Sequence, residues 1–184
     1  MILLILGVAL WSAAHLFKRF APARRASMGE KAKGPIAIAL IASIVLMVFG
    51  YRMADGAVYW GRDPMWVGIN NLLMVLAFYV FSASAAKGQK IWLGTKLRHP
   101  QLTAVIIWAV AHLLVNGDTP SFILFGGLLI WAIAEILIIN AQEGPWQRPE
   151  RAPAKKEVVA IVVTVVVTSV VMLVHYLLGV TPWG

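Results

Sequence analysis

The chain has 184 residues, of which 60% are hydrophobic and only 13% charged, and its mean hydropathy is +0.80; soluble domains run at about 45 to 50% apolar and about 25% charged. A soluble domain is therefore excluded, and the composition reads as an integral membrane protein, residues 1–184 forming one compact helical domain. With no cysteine, disulfides, thiolate catalysis and cysteine-ligated metal clusters are excluded as well, while a net charge of +8 remains to be placed.

In chain order, apolar runs extend over Ile2 to Phe20, Pro35 to Tyr51, Trp66 to Ala86, Gln101 to Asn116, Pro120 to Ile139 and Val158 to Val180. Most are long enough to cross about 30 Å of hydrocarbon at about 1.5 Å per residue. The expected fold is all-α, a polytopic membrane bundle of about six transmembrane helices, with five as the alternative because the fourth run is the shortest. Between the fourth and fifth, Asn116-Gly117-Asp118-Thr119-Pro120 is a turn signal. Gly117 stops one helix, Asp118 or Thr119 caps the next and Pro120 fits its first turn, which predicts a tight antiparallel hairpin. Val58-Tyr59-Trp60-Gly61-Arg62-Asp63-Pro64 reads as an interfacial aromatic belt. The polar, proline-containing stretch from Glu143 to Lys156 reads as a mobile loop.

The basic residues are not spread evenly. Lys18, Arg19, Arg24, Arg25, Lys31 and Lys33 close or follow the first run; Lys87, Lys90, Lys96 and Arg98 follow the third; Arg148, Arg151, Lys155 and Lys156 follow the fifth. Only Arg52 and Arg62 fall in the other loops. This split, fourteen against two, predicts three cytoplasmic basic loops and both termini outside. Contact with anionic membrane lipids accounts for the charge, and nucleic acid is not expected as a partner. The first run carries its charges after it and not before it, so it reads as a retained anchor and not a cleaved signal.

Three copies of one local pattern lie inside these runs: Trp11-Ser-Ala-Ala-His15-Leu-Phe, Trp108-Ala-Val-Ala-His112-Leu-Leu and Trp131-Ala-Ile-Ala-Glu135-Ile-Leu. An ionisable group at that depth is costly, which makes each of the three a functional candidate. On a helix each has an indole one turn away and small alanines beside it, which suits a flat cofactor. Other polar groups in the runs, Asn70, Asn71, Thr164, Thr168 and Ser169, read as packing groups that bond across helices or to their own carbonyls. Counting depth from the run ends puts His15 and Glu135 near one membrane face and His112 and His175 near the other.

His15, Leu97-Arg98-His99-Pro100-Gln101, the segment from Trp108 to Asp118 and the closing His175-Tyr-Leu-Leu-Gly179-Val together resemble the NnrU family over nearly the whole chain. That resemblance implies a bacterial inner-membrane protein associated with nitrite and nitric-oxide metabolism. A distant relative of the family, the plant zeta-carotene isomerase, binds haem b. The resemblance thus implies haem b here, with His15 and His112 at the positions of its two iron ligands and with nitrogen-oxide respiratory proteins among the expected partners. The depth count separates those two histidines by on the order of 10 to 15 Å, and prefers His112 with His175. His175 is therefore the substitute ligand. Trp11 and Trp108 would flank the cofactor, and Glu135 would orient His15 or stay protonated.

Other readings stay open. Arg98-His99-Pro100 is similar to a segment of membrane isoprenylcysteine methyltransferase-like enzymes, but Leu102 stands where those have tyrosine, and His99 serves equally as a helix-entry residue. A haem-dependent isomerase or other enzyme acting on a lipid-soluble substrate would need a lateral apolar cavity beside the histidines. A proton- or solute-conducting bundle would use Glu135 with Asn70 and Asn71. No Walker, Rossmann, metalloprotease or nucleophile-elbow motif selects a reaction, so whether the chain is an enzyme is left open.

Overall fold

The computed structural model describes residues 1–85 and 88–183. The Ala86 boundary expected for the third run, and Lys87 among the basic residues, lie outside the described residues. The chain forms α1 (Ile2–Phe20), a short α2 (Pro22–Ser27), α3 (Lys33–Arg52), α4 (Pro64–Ser82), α5 (Pro100–Val115), α6 (Thr119–Glu143) and α7 (Ala154–Leu177). Five of these helices are long and apolar enough to cross a membrane. The remaining apolar run, the fourth, is α5 and has 16 residues, which at 1.5 Å each span only about 24 Å. It lies inside the bundle, with Ala104, Ala109, Ala111 and Val115 buried, so neighbouring helices flank its ends.

The helices pack in the spatial order α3, α1, α6, α5, α4, α7. Between α1 and α3 the backbones nearly touch. A Cβ on Gly50 would lie 2.4 Å from Leu4 N, and one on Gly7 would lie 2.8 Å from Met47 N. Glycine at both crossing points, with fully buried Ser43 one turn beyond Met47, produces the close packing that replaces the hydrophobic effect between membrane helices. Leu4, Met47, Leu128, Trp131 and Ala132 form the core where α1, α3 and α6 meet.

The predicted hairpin between α5 and α6 is present, and its residues act as the local rules require. Asn116 follows the last turn of α5 and its side chain donates to His112 O at 2.8 Å. The Asp118 carboxylate accepts from Ser121 N at 2.8 Å as the N-cap of α6, with Pro120 in the first turn. The aromatic loop before α4 does more than face the interface. Val58–Trp60 (β1) pairs antiparallel with Gly117–Asp118 (β2), and the Trp60 indole covers Gly117 so closely that a Cβ there would lie 2.2 Å from its ring. Trp60 Nε1 donates to Leu113 O at 3.0 Å.

Two further expectations are refined. The loop from Glu143 to Lys156 is docked and not free: Lys90 N donates to Glu150 O at 2.9 Å and Ala152 N to Lys90 O at 2.7 Å, a short parallel bridge to the segment after α4. Glu150 O and Ala152 N find their partners in the backbone of Lys90, a pairing that composition alone does not reveal. Asn70 and Asn71 bond to each other, and Asn71 Nδ2 donates to Pro182 O at 2.9 Å, so this pair tethers the C-terminal segment to α4. Thr164, Thr168 and Ser169 return their hydroxyls to carbonyls one turn back, as expected of packing groups.

Candidate functional site

The three Trp-containing patterns fall into two layers. At the level nearer the basic loops, α1 places Trp11 and His15 against Trp131 of α6. The His15 ring centre lies 4.2 Å from that of Trp11 and 4.8 Å from that of Trp131, and the two indoles meet edge to face at 5.5 Å. Glu135, one turn beyond Trp131, is buried at 9% exposure. Among the described residues, Trp11 Nε1, Trp131 Nε1 and Glu135 Oε2 are buried without a hydrogen-bond partner. Three orphaned polar atoms in one layer is a concentration that ordinary packing does not maintain.

In the other layer α5 places Trp108 and His112 against Phe125 of α6. Phe125 stacks on His112 with ring centres 4.7 Å apart and planes inclined by 29°, and Trp108 lies 5.0 Å from Phe125. Here α6 makes one π-helical segment, Phe122–Gly126, in which the ladder widens to hold an extra residue. Such segments are rare and concentrate at functional sites. Just beyond it Tyr51 OH and Ser121 Oγ share a hydrogen bond of 2.8 Å, joining α3 to the start of α6. His175 lies in the last turn of α7.

The layers are anchored on Phe125 and Trp131, six residues apart on one helix, so they are separated by about 9 Å. The structure thus brings His15, Trp11 and Glu135 to one level and His112 and Trp108 to another, leaves His175 in the last turn of α7, and no ring contact joins His15 to His112. His99 belongs to neither layer. Its Nε2 lies 2.9 Å from Asn140 Oδ1 at the basic end of the bundle, where it precedes α5.

The imidazoles within the bundle share one geometry. His15 Nδ1 lies 3.0 Å from Trp11 O, His112 Nδ1 2.9 Å from Trp108 O and His175 Nδ1 2.8 Å from Val171 O. A carbonyl only accepts, so each Nδ1 is the donor, and no hydrogen bond is formed at Nε2. That is how ligating histidines are held. Among the described residues no three His, Asp or Glu side chains converge to hold a bare ion. Isolated imidazoles with a free Nε2 suit haem iron, whose remaining ligands come from the porphyrin, and in this respect the residues fit that group.

The basic end carries a polar cluster that sequence reasoning missed. Arg19 of α1 pairs with Glu143 of α6 at 2.8 Å, Arg98 approaches the same carboxylate at 3.5 Å and donates to Gly144 O at 2.6 Å, and Gln142 donates to Arg19 O at 3.2 Å. These residues read separately as topology signals. Only the helix order reveals that Glu143 falls between two arginines. Phe125 was missed for a similar reason, since it lies in a plain apolar run and acquires its position from the π segment.

Residues 3–182 match the family model described as NnrU protein. No curated protein and no solved structure matches the chain.

Proposed function

The chain belongs to the NnrU family, and from that premise we propose that it is a haem b-binding protein of the bacterial inner membrane, with both termini periplasmic, associated with nitrite and nitric-oxide metabolism as an accessory, sensor or redox protein. The observation that carries the haem reading is the shared state of His15, His112 and His175, each with Nδ1 bonded to the carbonyl one turn back and Nε2 left free. His112 is the ligand common to both pairings considered. The resemblance pairs it with His15; the layer spacing of about 9 Å along α6 favours His175. Haem bound there would supply one-electron chemistry at the iron. The chain's own part is to fix the imidazole: Phe125 and Trp108 pack two sides of the His112 ring and the Trp108 carbonyl sets its tautomer. The membrane orientation follows from the fourteen-to-two division of basic residues.

The test is an absorption spectrum of detergent-purified protein, oxidised and then reduced with dithionite. A Soret band that is lost in His112→Ala and diminished in His175→Ala is expected, with His15→Ala retaining it. Protein that purifies colourless despite haem supplementation would overturn the reading. Loss of the band in His15→Ala with retention in His175→Ala would restore the family pairing.

A further inference from the structure

A cavity of about 430 Å³ lies between α4, α5 and α7, away from the histidines themselves but closed on one side by Trp108. It exists because the helix surfaces facing it are cut back to alanine: Ala77 of α4 and Ala104 of α5, 3% and 4% exposed, leave room where larger residues would fill the crossing. Along α4 its wall runs from Met74 to Ser82, nine residues and eight rises, or about 12 Å of helix. The space is thus elongated along the membrane normal. Its remaining walls include Phe78, Phe81 and Val163, and the last two face outward at 49% and 45% exposure.

The lining chemistry selects the occupant. Among the described residues the polar side chains that border the cavity are Ser82, Thr164 and the Trp108 indole, and both hydroxyls donate to carbonyls of their own helices, at 2.6 Å to Tyr79 O and 2.8 Å to Ala160 O, so nothing in the lining accepts or pairs a charged head. A polar head placed inside would lose its hydrogen bonds with water and gain none, so the occupant within the cavity is hydrocarbon. The Ser82 end of the cavity is the end of α4 that leads to the basic loops, whose charges include Lys96, Arg151, Lys155 and Lys156, while Arg98 is already paired with Glu143 and Lys90 Nζ donates to Ser84 O. The acidic residues there are already engaged: Glu157 with Tyr79 OH and Trp92 N, and Glu150 with Gln89. What this end leaves is net positive charge at headgroup depth, which complements an anionic headgroup.

We propose that the cavity holds one acyl chain of an anionic phospholipid, with its headgroup at the basic end between α4 and α7. An occupying chain adds contacts to the exposed sides of Phe81 and Val163 and to Trp108, the one lining residue that also packs on His112.

The test uses the full chain purified in mild detergent from nanodiscs containing equal phosphatidylglycerol and phosphatidylethanolamine, with the retained lipid counted by native mass spectrometry. Retention of phosphatidylglycerol over phosphatidylethanolamine is expected, falling at least about tenfold in Val163→Trp, where an indole enters the cavity from its rim. Val162→Trp, its 55% exposed neighbour that does not line the cavity, should retain the lipid as wild type does. Both positions are on the lipid-facing surface, so neither substitution disturbs the core. Equal retention of the two lipids, a retained isoprenoid or quinone in their place when the protein is taken from native membranes, or unchanged retention in Val163→Trp would each overturn the proposal.

Discussion

Ser121 shows how narrowly a single polar group is accommodated in this bundle. It is fully buried, and its hydroxyl meets Tyr51 OH at 2.8 Å across the α3–α6 contact. Tyr51→Phe would strand that hydroxyl, and the cost of a buried unsatisfied group, about 1 to 3 kcal/mol, should appear as a lower thermal unfolding midpoint in detergent. Adding Ser121→Ala should return part of the loss, since removing both partners is cheaper than removing one. A neutral Tyr51→Phe would show that the bond contributes nothing. Glu135 is expected to behave in the opposite way. Its Oε2 is buried without a hydrogen-bond partner and so forms no bond that a substitution could break, and Glu135→Gln, which keeps the shape, should leave the midpoint unchanged or raised. A clear drop would reveal a partner for Glu135 that the protein's own side chains do not supply.

At the level of elements, the hairpin between α5 and α6 was legible because its signals are local. Asn116, Gly117, Asp118 and Pro120 each satisfy a terminus within a few residues of themselves, and no tertiary information is needed to place them. Asp118→Ala should therefore cost about 0.5 to 2 kcal/mol as an N-cap loss, measurable as the same midpoint shift, with the helix content by circular dichroism nearly unchanged. The α1–α3 crossing was less legible. Gly7 and Gly50 sit in an apolar run like any other glycine, and only the approach of Leu4 N to within 2.4 Å of a Cβ at Gly50 shows what that residue permits. Gly50→Leu should separate the two helices and lower the yield of monodisperse protein. Least legible were the π segment at Phe122–Gly126 and the β1–β2 ladder, because both arise when one part of the chain meets another. Of the candidate site, the residues could be named and sorted into two depths from the sequence; that Phe125 and Trp131 anchor those depths could not.

For the whole molecule, charge and packing make different contributions. The Arg19–Glu143–Arg98 cluster ties α1, the start of α5 and the end of α6 together, yet the Glu143 side chain is 48% exposed, and exposed pairs contribute only about 0 to 1 kcal/mol. Glu143→Gln should accordingly change the unfolding midpoint little, with the residual effect shrinking as salt is raised. The basic loops matter more for orientation than for stability. Alkaline phosphatase fused after Trp183 should be active and the same enzyme fused within the Glu143 to Lys156 loop inactive; the reverse pattern would invert the assigned topology.

The π segment also acts as a phase setting. By holding one residue more than an α-turn, it advances everything after Gly126 by about 100° around the α6 axis relative to an uninterrupted helix. Phe125 within it faces α5 while Leu128, Trp131 and Glu135 after it are buried on the side of the core against α1. Excising one residue, such as Ile123, should restore a regular helix and rotate either the Asp118 cap or the Trp131–Glu135 stripe out of alignment. The two histidine layers are thus clocked against each other by a single inserted amino acid, and a gain or loss of one residue there would retune both at once.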